Sequence, residues 1–264
     1  MKVGRLVLDD ERKQLGEIHY NSSLRRIPAL FQGIMATIGE NLQAVKARME
    51  RAARLAGRAA DSVTLLAVTK THPAARVREA AAAGQKAFGE NYVQEAVQKM
   101  QDLPGLEWHL IGPLQSNKTR LAAERFDWVH TIQSEKIARR LSDLRPANLQ
   151  PLNVLIQVNI SGEQTKSGVA SEELHTLAEA IRSFPRLKLR GLMAIPEPTD
   201  EVALQRARFH QVNELFGKLK GEFAFDTLSM GMSADLETAI AEGATLVRIG
   251  TAIFGARRKA KTAA

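Results

Sequence analysis

From Val63 onward the chain repeats one pattern: a short apolar run with strand character, then an amphipathic stretch with helical spacing. The repeats predict strands over 63–69, 86–89, 108–111, 128–131, 153–159, 189–194, 227–230 and 246–249. The helices predicted between them cover 77–83, 93–100, 118–123, 135–144, 172–183, 201–220 and 234–242, with a short end after the last strand. Eight such steps in a 264-residue chain fit a (β/α)8 barrel better than an open doubly wound sheet. No Gly-x-Gly-x-x-Gly follows the first strand, which weakens a dinucleotide-binding alternative. One more helix is expected before the barrel, from near Met35, with Ile38, Leu42, Val45, Met49, Ala52 and Leu55 on one face and Gly57 to end it.

A barrel places its chemistry at the carboxyl ends of its strands. Those ends carry Lys70, Asn91, Gly112, Asn159, Met193, Ser229 and Gly250. Lys70 follows Leu65, Leu66, Ala67 and Val68, so its amine emerges from an apolar wall where partial desolvation favours the neutral, nucleophilic form. Two late turns, Ser229-Met-Gly231-Met232-Ser233 and Gly250-Thr251, offer glycine for close backbone approach and hydroxyls as extra donors, the needs of a phosphate site. Ser233 reads either as the N-cap of the next helix or as a phosphate ligand. The position of these turns after strands seven and eight favours the phosphate role. An amine facing a phosphate cradle is the layout that pyridoxal phosphate requires.

Arg248 shares a strand face with Gly250, while Val247 and Ile249 belong to the other face. It reads either as a rim arginine paired with a carboxylate or as a partner of a pyridine nitrogen. Asn91 suits a ring hydroxyl or phosphate, with helix capping as its rival role. His72 and His109 are placed on the mouth-facing side, but neither has metal-ligand spacing with another His or carboxylate. Trp108 and Trp128 read as core or rim aromatics.

Composition narrows the partners. No apolar stretch approaches the ~20 residues of a membrane span, and there is no cysteine for disulfides, thiolate metal sites or a cysteine nucleophile. The first 30 residues lack the pattern of a secretion signal, so a cytoplasmic protein is expected. The net charge of +8 is concentrated in residues 1–34 and in the tail with Arg257, Arg258, Lys259 and Lys261, leaving the body nearly balanced. No nucleic-acid partner and no membrane partner are expected.

The chain resembles the pyridoxal phosphate homeostasis proteins, the YggS/PROSC family, relatives of the alanine racemase N-terminal barrel. The resemblance runs from about Met35 to Gly255 through LLAVTKTHP, AAAGQKAFGENYVQE, WHLIGPLQSNK, VNISGEQTKSGV, RGLMAIP and LSMGMSADLETAIAEGATLVRIGTAIFGAR. It implies a single TIM barrel, like the alanine racemase N-terminal domain, over 35–256. The resemblance further implies pyridoxal 5'-phosphate held as a Schiff base on Lys70. Its phosphate would be bound by Ser233, Gly250 and Thr251, with Ser229, Gly231 and Met232 nearby and Arg248 facing the pyridine nitrogen. The family often has a second lysine two places after the first, where this chain has His72.

Family members are thought to buffer or hand over the cofactor, with pyridoxal phosphate-dependent apoenzymes as transient partners, rather than to catalyse a reaction. An amino-acid racemase is the competing reading, and it needs a second acid/base opposite the lysine. Alanine racemases take it from a tyrosine of an additional domain, whereas the tyrosines here are Tyr20 and Tyr92. A barrel aldolase using Lys70 without a cofactor leaves Arg248 unexplained. Without a racemase-type dimerisation domain a monomer is expected. Residues 1–34 are expected to be a poorly ordered extension, with Met35 as an alternative start, and 257–264 a basic tail.

Overall fold

A computed structural model describes residues 36–160 and 167–256. The extension 1–34, with Tyr20, and the tail 257–264 lie outside them, as does the middle of the VNISGEQTKSGV stretch. Helix α1 (Ile38–Leu55) comes first. Thr37 starts it with a capping box: the Thr37 hydroxyl accepts from the Glu40 N–H, and the Glu40 carboxylate accepts from the Thr37 N–H at 2.7 Å. Its buried stripe is Ile38, Leu42, Val45, Met49, Ala52 and Ala53, the predicted face except that Leu55 stays exposed.

Eight parallel strands then close into a barrel in chain order: β1 (Thr64–Val68), β2 (Ala87–Glu90), β3 (Glu107–Leu110), β4 (Trp128–Ile132), β5 (Leu152–Gln157), β6 (Leu187–Met193), β7 (Thr227–Ser229) and β8 (Leu246–Ile249). Closure is made by β1 against β8, with Thr64 opposite Leu246 and Ala67 opposite Ile249. Seven helices follow the first seven strands: α2 (Ala74–Ala82), α3 (Val93–Asp102), α4 (Thr119–Arg125), α5 (Glu135–Leu144), α6 (Leu174–Arg182), α7 (Val202–Phe223) and α8 (Leu236–Ala241). A single turn, α9 (Thr251–Phe254), follows β8.

Alternation along each strand sorts side chains into two cores. Leu65, Ala67, Val247 and Ile249 join the large cluster between sheet and helices, together with the inner faces of α1 to α8. Leu66, Val68, Ala87, Ile111 and Leu246 form a separate cluster inside the barrel, and Trp128, Leu155 and Met193 another. Arg248, two residues after Leu246, shares the interior face with it. No helix among the described residues is long and apolar enough to cross a membrane.

Candidate functional site

At the carboxyl end of β1 the chain makes a tight turn in which the His72 N–H donates to the Thr69 carbonyl at 3.0 Å. Lys70 and Thr71 are its central residues, and Thr71 has φ +67°. A positive φ at the second central position is the type II turn requirement usually met by glycine, and a β-branched residue there is strained. A polar network behind the turn holds it. The Thr71 N–H donates to Glu95 Oε1 at 2.7 Å, and Lys99 Nζ donates to Glu95 Oε1, Glu90 Oε1 and the Thr69 carbonyl at 2.7, 2.6 and 2.8 Å. The Thr69 hydroxyl donates to Glu90 Oε1 at 2.6 Å. Burial pushes the Glu90 carboxyl above its ordinary range, against the opposing pull of the Lys99 ammonium and the Thr69 hydroxyl. The second oxygen, Glu90 Oε2, is buried without a partner.

The late turns are built from backbone. Gly231 has φ +94°, and a Cβ there would lie 2.5 Å from the Ala239 Cβ, so only glycine fits. Asp235, the N-cap of α8, accepts the Met232 N–H and shapes the turn. The Ala252 N–H donates to Ser233 Oγ at 3.3 Å, tying the loop after β7 to the one after β8. Among the described residues no protein acceptor takes the N–H of Ser233, Ala234 or Thr251. These donors sit where two loops meet, which suits an anion.

Arg248 is buried beneath these loops. Its Nη1 donates to the carbonyl and Oγ of Ser229 at 2.8 and 2.9 Å, and its Nη2 to the Ala194 carbonyl at 3.0 Å. Its partners are neutral oxygens, so the expected alternative of a rim carboxylate does not hold. Burial lowers the guanidinium pKa to about 10, leaving it a cation at neutral pH. Three of its five N–H donors are thereby used, which leaves two without a protein acceptor among the described residues.

One cavity of about 270 Å³ brings these elements together. Lys70, Asn91, Met232, Ser233, Arg248, Gly250 and Thr251 line it, as do His72 and Ile195. Ser229 and Gly231 do not: Ser229 is wholly buried under Arg248, and Gly231 packs against α8. Neither helix-capping alternative is realised, because the N-cap positions of α8 and α3 are held by Asp235 and Tyr92. Asn91 is brought to the cavity by Gly112, where a Cβ would lie 2.2 Å from the Asn91 carbonyl oxygen. His72 faces the mouth as expected, its ring 5.1 Å from that of Phe254. His109 does not. It is 1% exposed in the barrel interior, stacked on Trp128 and bonded to Glu107 and to His130. Strand alternation gives its face but not its depth: Ile111, two residues further along the same face, lines the cavity instead.

Sequence reasoning missed Glu90, Glu95, Lys99 and His130. The i,i+4 spacing of Glu95 and Lys99 was the available signal, but such pairs usually lie on solvated helix faces. In chemical terms the cavity offers a primary amine, a cluster of anion-binding donors and a buried cation. Those groups match the aldehyde, phosphate and ring nitrogen of pyridoxal phosphate.

The alanine racemase N-terminal domain family matches residues 41–258. A relative from Pseudomonas aeruginosa is 61% identical over 226 residues, 84% of this chain and 97% of its own length. Another from Escherichia coli is 55% identical over 233 residues, 86% of this chain and 100% of its own. Both are named pyridoxal phosphate homeostasis protein. PipY of Synechococcus elongatus, solved with PLP bound, is 38% identical with a TM-score of 0.73, over 83% of this chain and 100% of that one. Alanine racemase of Clostridium difficile, in a complex with cycloserine, shares the fold at 13% identity and a TM-score of 0.69, and the match spans 85% of this chain and 60% of that one. By sequence over nearly the full length of these relatives, and by fold, the chain belongs to the pyridoxal phosphate homeostasis protein family.

Proposed function

We propose that this protein binds pyridoxal 5'-phosphate and holds it for pyridoxal phosphate-dependent apoenzymes, without turning over a substrate of its own. The observation that carries the reading is the single cavity that gathers Lys70, Ser233, Arg248 and Thr251. The cofactor supplies an electrophilic aldehyde on an electron-withdrawing ring. Lys70 contributes the amine that condenses with the aldehyde carbon, forming a C=N bond and releasing one water. Ser233 and Thr251, through hydroxyls and unclaimed N–H groups, hold the phosphate, and Asn91 binds the ring hydroxyl. Arg248 donates to the pyridine nitrogen and keeps it unprotonated, which restrains carbanion chemistry. A ring held this way suits storage better than turnover.

The names of the relatives support a role in cofactor supply. The competing reading is an amino-acid racemase. His72 favours it, since His72, Lys70 and Arg248 are the titratable groups among the described cavity residues and a racemase needs a second acid/base. The test is to purify the protein with pyridoxal 5'-phosphate and record near-visible absorbance for it and for Lys70→Ala, then to assay racemisation of alanine by chiral chromatography. Absorbance that disappears in Lys70→Ala, with no racemisation, is expected. A colourless wild type contradicts cofactor binding, and racemisation at enzymatic rates contradicts storage.

A further inference from the structure

Behind the cavity a line of hydrogen bonds crosses the barrel interior. Arg248 Nη1 lies 2.9 Å from Ser229 Oγ, which lies 3.2 Å from His130 Nδ1. His130 Nε2 is 2.9 Å from His109 Nδ1, and His109 Nε2 is 2.6 Å from Glu107 Oε1. Ser229, His130 and His109 are almost wholly buried, whereas the Glu107 side chain is 48% exposed at the amino-terminal end of β3. The line thus joins a carboxylate at one rim to the ligand-facing arginine near the other.

Donor and acceptor chemistry gives this line a direction. A guanidinium only donates, so Ser229 Oγ accepts from Arg248 and its own proton is free to go to His130 Nδ1. His130 then carries its proton on Nε2 and donates to His109 Nδ1. His109 likewise carries its proton on Nε2 and donates to Glu107, a carboxylate that only accepts. Every bond points the same way, from cation to anion, with both imidazoles neutral. Burial disfavours the charged form of each histidine, in agreement with that assignment. The reverse arrangement requires an imidazolium at His109, against that burial, and leaves the Ser229 hydroxyl accepting twice.

We propose that Glu107, His109, His130 and Ser229 form a one-way hydrogen-bond chain whose function is to position the Arg248 guanidinium against the ligand cavity. Ser229 and His130 are positioning residues, acting through Arg248 rather than on the ligand. Aligned donors polarise one another, so the far carboxylate is felt at the cation through the chain. The ligand assignment rests on the proposed function, whereas the direction of the chain does not and is testable in the protein alone.

The experiment is NMR of the full chain labelled with 15N in histidine and arginine, without and with pyridoxal 5'-phosphate. Both His109 and His130 are expected as neutral Nε2–H tautomers near neutral pH. An imidazolium at His109, or an Nδ1–H tautomer at His130, overturns the proposal. Ser229→Ala is expected to shift the His130 ring signals, to speed hydrogen exchange of the Arg248 guanidinium several-fold, and to weaken binding of pyridoxal 5'-phosphate about threefold to tenfold. Unchanged His130 and Arg248 signals overturn the coupling. Should Ser229→Ala fail to fold, Glu107→Gln at the exposed rim replaces it: signal changes reaching His130 and Arg248 support the chain, and changes confined to His109 overturn it. Failure of the protein to bind the cofactor, with both tautomers as assigned, refutes the ligand reading and leaves the chain intact.

Discussion

The two walls of the cavity are held in place by opposite means. The early wall, at the end of β1, is fixed by side chains: buried Lys99 and Glu90 and half-buried Glu95 clamp a turn that carries Thr71 at positive φ. The late wall, after β7 and β8, relies on backbone: Gly231 allows the close approach to α8, and the N–H groups of Ser233, Ala234 and Thr251 have no protein acceptor among the described residues. The difference follows from what each wall presents. A reactive amine must be aimed from a single side chain, and aiming requires a rigid turn with supporting bonds. A phosphate is held by several donors at once, and glycine lets the chain come close enough to supply them.

The largest effect is therefore expected in the early wall. Lys99→Met removes the cation from a buried pair, leaves Glu90 with the Thr69 hydroxyl alone, and is expected to destabilise the fold by about 3–5 kcal/mol in urea unfolding. A change of less than about 1 kcal/mol would break the comparison, since the network would then not be what holds the turn. Next comes Gly231→Ala in the late wall. Strain at φ +94° and the overlap with Ala239 are expected to cost about 2–3 kcal/mol and to weaken cofactor binding while the Lys70 turn stays intact.

Acid sharpens the contrast. Burial lowers the pKa values of His109 and His130, so below the ordinary imidazole value of about 6.5 the unfolded chain takes up protons that the folded chain refuses. Their contribution to stability is complete above that pH and is lost as the pH falls, with a limiting slope of about 1.4 kcal/mol per pH unit for each histidine. Glu90 behaves in the opposite sense, because its raised folded pKa favours the folded state in acid and that contribution is lost as the pH rises. Stability measured from pH 7 down to pH 5 is expected to fall in the wild type and to fall less steeply in His130→Gln. Identical slopes would contradict a neutral buried His130. The smallest effect is Thr71→Gly, which relieves the positive φ and is expected to raise stability by about 1 kcal/mol in thermal unfolding, provided the turn keeps its shape.

Much of this architecture was legible in the chain. Alternation places Val247 and Ile249 on the face opposite Arg248, and the ends of the eight predicted strands lie within two residues of those observed. The helix after β1 starts at Ala74, ahead of the expected Val77, because Pro73 occupies its N-cap and Ala74, Ala75 and Arg76 continue the helix without breaking it. Lys70, Asn91, Met232, Ser233, Arg248, Gly250 and Thr251, expected at strand ends or in the turns after them, line one cavity because strand ends in a barrel converge on one mouth. What stayed hidden depends on depth and register. Ser229 reads as a turn residue, and only the closed barrel reveals that it lies under Arg248 and beside His130 from the opposite wall. Glu90 ends a strand in a way that looks solvated until Lys99 is packed behind it.

The most direct measurement is borohydride reduction of the protein loaded with pyridoxal 5'-phosphate, followed by peptide mass spectrometry. A single phosphopyridoxyl adduct on Lys70, lost when excess free phosphate is present during loading, is the expected result. An adduct on another lysine, or none on Lys70 in a protein that still binds the cofactor, would contradict the account that the early turn and the late loops form one site.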